Sequence, residues 1–182
     1  MQQDDEKAFI ALLLNPKTQD VAFRQLVSQY SRPLYNHIRN IVIDHDDTDD
    51  VLQNTFIKVF QNLKNFKGES KLFSWIYRIA TNEAITHISS KAKKTNVSNE
   101  EVQQKALKNL EADEYFEGDE MQKKLQQAIA SLPEKQQLVF KMKYFEDLKY
   151  EEISDILGTS VGALKASYHH AVKKIEDFIN SH

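Results

Sequence analysis

Cysteine is absent from the 182 residues. No disulfide, thiolate zinc site, iron–sulfur cluster or cysteine nucleophile is therefore available. Glycine occurs 4 times and proline 3 times, both well below average usage of about 7% and 5%. Sandwiches and barrels need many tight turns, so this scarcity argues against them and against collagenous or proline-rich disordered chains. No apolar run reaches the ~18 residues of a membrane-crossing helix. The polar start Met1-Gln2-Gln3-Asp4-Asp5-Glu6-Lys7 does not read as a signal peptide. These features point to a cytoplasmic protein that does not insert into membranes. What remains is ordinary globular composition, with 41% hydrophobic and 28% charged residues. The length allows one medium domain or two small ones.

The net charge of −3 is unevenly spread. Residues 1–57 carry net −4, 58–94 net +6, 95–120 net −6 and 121–182 net +1. A basic block is followed directly by an acidic stretch. Clustered lysines neutralise phosphates locally whatever the global sum, although a charge run is equally consistent with a solvated helix face.

Helical periodicity dominates. Phe23, Leu26, Val27, Tyr30, Leu34, Ile38 and Ile41 recur every three or four residues and mark one buried face. Pro33 falls inside this run, and a kink or break is expected there. The acidic stretch 44–50 reads as a turn and helix start, where carboxylates suit the positive end of the dipole. Val51, Leu52, Thr55, Phe56, Val59, Phe60 and Leu63 continue a stripe. Residues 65–70, with Gly68, read as a loop; Glu69 or Ser70 is expected to open the next helix, which fades into lysines near residue 94. Residues 92–119 are polar, acidic and weakly periodic, with at most transient helix around 102–110. Order resumes near Met121, Pro133 suits a first helical turn, and helices over 150–157 and 161–179 close the chain. The expected fold is all-α: two small helical domains, 1–92 and 120–182, joined by a flexible acidic linker, 93–119.

The last two helices have the spacing of a helix-turn-helix. Ser154 is small where the helices meet, Gly158 suits a positive φ in the turn, and Ser160 can cap the second helix. Ile153, Ile156, Leu157, Val161, Leu164 and Tyr168 supply the buried faces. Gly162, Ala163, Lys165, Ala166, Ser167 and His169 are left to face a groove, with Lys173 and Lys174 further along for phosphates. Spacing alone leaves an ordinary αα-hairpin equally open. Upstream, the basic block interleaves lysines with Phe60, Phe66, Phe73, Trp75 and Tyr77, a combination suited to single-stranded nucleic acid. The loop 65–71 is placed to hold an extruded base, though helical spacing marks most of these rings as core.

In this order, the pieces resemble the extracytoplasmic-function (group four) sigma factors of bacterial RNA polymerase. The stretch Asp49-Asp50-Val51-Leu52-Gln53-Asn54-Thr55-Phe56-Ile57 is similar to the region two helix that docks on the polymerase clamp. Phe66-Lys67-Gly68-Glu69-Ser70, with the helix carrying Trp75, Arg78 and Asn82, is similar to the loop and helix that melt and read the minus-ten element. Leu132-Pro133-Glu134 through the helix-turn-helix is similar to region four, which reads the minus-thirty-five element. The resemblance implies core-polymerase contacts at Asp49, Asp50, Gln53, Asn54 and Ile57. It implies minus-ten contacts at Lys67, Ser70, Lys71, Arg78 and Asn82. It implies minus-thirty-five contacts at Thr159, Ser160, Gly162, Lys165, Ser167, His169 and Lys173. Departures from the family pattern are Asn54, where glutamate is frequent, and Ser167 and His170, where arginine is frequent. The implied partners are the polymerase clamp coiled coil and flap, promoter DNA and an anti-sigma factor, with the free protein a monomer. Tethering both DNA-reading domains through polymerase raises their effective concentration, which reconciles DNA contact with a negative net charge.

Other functions find less support. A non-sigma helix-turn-helix regulator would use only the C-terminal motif, and a helical interaction adaptor would use none of the DNA-facing residues. Read as an EF-hand from Asp44, the acidic run has Asp49 where glycine is needed and Thr55 where the bidentate glutamate belongs. The adjacent His169 and His170 point to different helix faces. No metalloprotease, phosphate-loop or nucleophile-elbow motif is present. No catalytic residue, cofactor or metal is therefore expected.

Overall fold

The computed structural model describes residues 3–109 and 120–181, and among them every regular element is helical. The elements are α1 (Gln3–Leu14), α2 (Gln19–Val42), α3 (His45–Asn62), a 3-10 turn (Leu63–Asn65), α4 (Leu72–Thr95), α5 (Asn99–Asn109), α6 (Glu120–Ala130), α7 (Glu134–Tyr144), α8 (Tyr150–Leu157) and α9 (Val161–Ser181).

Helices α2, α3 and α4 pack against one another around Leu26, Leu34, Ile38, Val51, Val59, Leu72 and Ile76, all nearly inaccessible to water. The expected apolar stripes are the buried faces of these helices. Asp44 caps α3, its side chain accepting from the Asp47 N–H at 3.0 Å. Of the kink or break expected at Pro33, the break does not occur, since α2 is continuous there. Proline removes the bond to the carbonyl four residues earlier. That carbonyl belongs to Gln29, and both residues lie on the exposed side of α2, where a freed carbonyl costs little.

Helices α6, α7 and α9 form a second packing centre around Ala128, Ile129, Leu132, Phe140, Ala171 and Ile175. The two halves are not held apart. Helix α8 lies against α4, and α7 touches α2, so Leu138, Met142, Ile153 and Ile156 join the same apolar cluster as Ile38 and Ile76.

Between the halves, α5 is a helix packed on α4, where only transient helix is expected from the sequence. Its start is capped by Ser98, whose hydroxyl accepts from the Glu101 N–H at 3.1 Å, and Gln103 is buried. Weak periodicity hid it because its inward face mixes Val102 and Ala106 with a polar Gln103. The remainder of the expected linker, 110–119, lies outside the described residues.

Candidate polymerase and promoter interfaces

Three exposed surfaces collect the residues singled out in the sequence. The first is one face of α3. Asp49, Asp50, Gln53, Asn54 and Ile57 are all exposed and recur at helical spacing on the side opposite Val51, Thr55 and Val59. Ile57 is 48% exposed, an unusual placement for isoleucine, and Phe60 beyond it is 41% exposed. The sequence pattern assigned Phe60 to the buried stripe. Instead its ring leans on Phe23 from α2, with centroids 4.9 Å apart, and leaves one edge in water. Ile57 and Phe60 thus give the polar face an apolar end.

The second surface is the loop between the 3-10 turn and α4, together with the first turns of α4. Lys71, Trp75, Arg78 and Asn82 recur at four- and three-residue steps and share one side of α4. Phe66 is buried against Trp75, with ring centroids 5.0 Å apart, which anchors the near end of the loop. Gly68 takes a φ of +71°, a conformation that a side chain would strain. Lys67, Ser70 and Lys71 line an open cavity of about 540 Å³ with Glu6 and Asp155. Asn82 is separated from them. It lines a second cavity of about 470 Å³ with Lys58, Trp75 and Glu83, of which Lys58 and Glu83 are ion-paired at 2.5 Å. Phe73 and Tyr77 pack inward, so of the rings in the basic block only Phe60 is largely exposed.

Part of this second surface is covered. The Arg78 guanidinium donates to the backbone carbonyl of Asp155 in α8, its Nε at 3.1 Å. Lys71 Nζ lies 3.6 Å from Glu152 on the same helix. Beneath them, His37 of α2 is fully buried between the halves. Its Nδ1 lies 3.0 Å from each carboxylate oxygen of Glu146, in the α7–α8 loop, and its Nε2 lies 2.9 Å from the Thr81 hydroxyl. Burial, reinforced by the Glu146 carboxylate, pushes the neighbouring Tyr77 hydroxyl well above the usual tyrosine range.

The third surface is α9 and the turn before it. Gly158 ends α8 in the left-handed conformation, φ +65°, and its N–H donates to the Ser154 carbonyl at 2.8 Å. Ser160 Oγ accepts from the Ala163 N–H at 3.4 Å, which starts α9 as the sequence suggests. Leu164, Ala171 and Ile175 face inward. Gly162, Lys165, His169 and Lys173 are exposed and fall on one outer face, with Ser160 and the half-buried Thr159 at its entrance. Ser167 does not join them. At 100° per residue it lies about 160° from both Lys165 and His169, toward the other side of α9, and it is half-buried. Lys165 Nζ sits 5.7 Å from the Tyr150 ring centroid and Lys143 Nζ 5.9 Å, so an aromatic ring of α8 gathers two cations beside this face. Among the described residues no His/Asp/Glu group has the arrangement of a metal site.

Comparison with known proteins places both halves. Residues 26–94 match the model for sigma-70 region 2, and residues 122–175 match the model for sigma-70 region 4. The chain is 31% identical over 163 residues to the RNA polymerase sigma-H factor of Pseudomonas aeruginosa, covering 85% of this chain and 84% of that protein. It is 30% identical over 156 residues to the ECF RNA polymerase sigma factor SigW of Bacillus subtilis, covering 81% and 83% respectively. The chain belongs to the extracytoplasmic-function sigma factors. Among solved structures, the fold is similar to CnrH in complex with the cytosolic domain of CnrY, with a TM-score of 0.69 and 19% identity over 97% of each chain. It is also similar to the sigma factor RpoE in complex with the anti-sigma factor NepR from Bartonella quintana, with a TM-score of 0.64 and 17% identity over 87% of this chain and 96% of that one.

As a sigma factor, this protein binds core RNA polymerase and directs promoter-specific initiation of transcription. A regulator built on the helix-turn-helix alone would leave the region 2 match over residues 26–94 without a reason. No described helix is long and apolar enough to cross a membrane.

Proposed function

We propose that the sigma function of this chain is divided among the three surfaces. Residues 1–92 form the unit that docks on polymerase and reads the minus-ten element, 120–182 the unit that reads the minus-thirty-five element, and 93–119 the connection. The α3 face of Asp49, Asp50, Gln53, Asn54 and Ile57, extended by Phe60, meets the clamp coiled coil. Lys67, Ser70 and Lys71 in the loop, with Arg78 and Asn82 on α4, meet the melted strand. Thr159, Ser160, Gly162, Lys165, His169 and Lys173 meet the minus-thirty-five groove; Ser167, on the other side of α9, does not.

The observation that carries this reading is the α3 face. Five residues chosen from a motif are exposed on one side of a helix whose other side is core, and an exposed isoleucine sits among them. Large apolar side chains left in water beside polar groups are the usual composition of a protein-docking surface.

The chain acts as a monomer in the cytoplasm, needs no cofactor and performs no catalysis of its own; the polymerase core supplies the chemistry. An anti-sigma protein is a partner of the free form, a reading supported by the complexes in which CnrH and the Bartonella quintana RpoE were solved. The deciding experiment mixes the purified chain with bacterial core polymerase. Co-elution and specific run-off transcripts from genomic fragments are expected. Core binding with no transcript from any fragment would remove the promoter assignments, and no binding would remove the α3 assignment.

A further inference from the structure

Helix α4 begins without a cap of its own. The residue at its N-cap is Lys71, whose ammonium has no acceptor to offer, and its first turn contains no acidic side chain. Glu69 and Ser70, the residues expected to open the helix, do not do so. The free N–H groups and the positive dipole end at Leu72 still require an acceptor. It comes from a distant segment. Glu6 Oε1 on α1 accepts from the Leu72 N–H at 2.7 Å, across 66 positions of sequence.

Helix α1 is well placed to hold that carboxylate still. Phe9 and Leu13 are buried in the main core. The end of α1 is tied to the start of α2, the Thr18 hydroxyl donating to the Leu12 carbonyl at 2.8 Å and the Gln19 amide to the Leu13 carbonyl at 3.0 Å. Glu6 itself is half-buried and close enough to Tyr30 to add to the upward push that burial gives that hydroxyl.

We infer that Glu6 is a positioning residue for minus-ten recognition, fixing the far end of the loop 66–71 through the α4 cap. The inference rests on the reading of that loop given above. The loop is held at its near end by Phe66 against Trp75, and at its far end by two carboxylates, Glu6 on Leu72 and Glu152 on Lys71. Glu152 belongs to α8, which covers Arg78, so that tether is lost whenever α8 leaves α4 to let DNA approach. Glu6 belongs to the same packed unit as the loop and stays. It then sets where Lys67, Ser70 and Lys71 stand around their cavity.

The test uses the full chain with core polymerase on a promoter recovered by the run-off experiment, together with every single-base change in its minus-ten element. Initiation is measured per core-bound sigma, so a loss of fold does not imitate a loss of selectivity. Glu6→Ala is expected to reduce the preference for the native minus-ten bases roughly fivefold, the size of effect a lost helix cap produces. Glu6→Gln, which keeps an acceptor oxygen, is expected to restore most of that preference, and changes in the minus-thirty-five element are expected to be read as before. Equal loss on all minus-ten variants, or no loss, would overturn the inference. Lys67→Ala and Ser70→Ala separate its failure from that of the loop reading. If they leave minus-ten preference unchanged, the loop reading fails and takes Glu6 with it. If they alter preference and Glu6→Ala does not, Glu6 alone is excluded.

Discussion

His37 and Glu146 are 109 positions apart in sequence and 3.0 Å apart in space, one from each half of the molecule. His37 Nε2 also lies 2.9 Å from the Thr81 hydroxyl, which is itself within 2.8 Å of the Tyr77 carbonyl, so the ring is held from both ends. His37 is fully buried at this link between the halves. Removing one partner strands the other away from water, a cost of about 1–3 kcal/mol. Glu146→Ala is expected to lower unfolding stability by that amount and to loosen α8 from α4. Urea titration reads the first effect and small-angle scattering the second, as a larger radius of gyration. An unchanged radius with full loss of stability would mean that α8 stays docked by its apolar contacts alone.

Lys141 poses the opposite problem. It is buried on α7, where a narrow gap is lined also by Ile41, Ile85 and Ile88, and its nearest polar partner is Gln137 Oε1 at 3.5 Å. Burial lowers its pKa from 10.5 to about 8. The native chain therefore holds this proton less tightly than the unfolded chain. The penalty is fully present below about pH 8 and is relieved as pH rises from there toward 10.5. Lys141→Met is expected to gain about 2–3 kcal/mol at pH 7, and most of that gain is expected to vanish by pH 10. Denaturation of both proteins at the two pH values checks the sign. A gain that grows with pH would contradict it.

The α3 face separates binding from folding. Gln53→Ala and Ile57→Ala remove exposed side chains and are expected to leave the melting temperature within about a degree, since such sites contribute little to the fold. Each is expected to weaken core-polymerase affinity roughly tenfold, as central interface residues do. Fluorescence titration with labelled protein measures it. Phe60→Ala is expected to act in the same direction, although half of its ring also supports Phe23.

On α9, Lys165 and Lys173 differ in kind. Lys165 lies on the outer face of α9 in its first turns, whereas Lys173 stands two turns further along. Lys165→Ala is expected to relax sequence preference within the minus-thirty-five element, at about 1–3 kcal/mol of discrimination. Lys173→Ala is expected to weaken all sequences alike and to reduce the salt dependence by about one counterion. Transcription from minus-thirty-five variants at several salt concentrations distinguishes the two roles.

Much of this architecture is legible in the sequence because it is written at short range. The α3 cap at Asp44, the left-handed Gly158, the Ser160 cap and the stripe through Ile38 are decided by residues within a turn or two of each other. Pro33 does not break α2 because the rule about helix interiors assumes an enclosed carbonyl, and Gln29 lies on the exposed side. Phe60 misleads because periodicity counts an aromatic as inward whether or not its neighbours enclose it. Glu6 on Leu72 and His37 on Glu146 have no local signature at all. A carboxylate or an imidazole becomes readable only once the chain has folded back on it.

The contact of α8 with α4 bears on how strongly the protein senses its promoter. On the reading proposed above, α8 stands over Arg78 and Lys71, the cations assigned to the melted strand, and so blocks the strand's approach to them. On that reading, helix α8 and the minus-ten strand compete for one site in the free protein. Apparent affinity falls in proportion to the fraction of molecules whose cations are vacant. A substitution that tightens α8 on α4 would mute transcription, and one that loosens it would amplify transcription, without either touching a base.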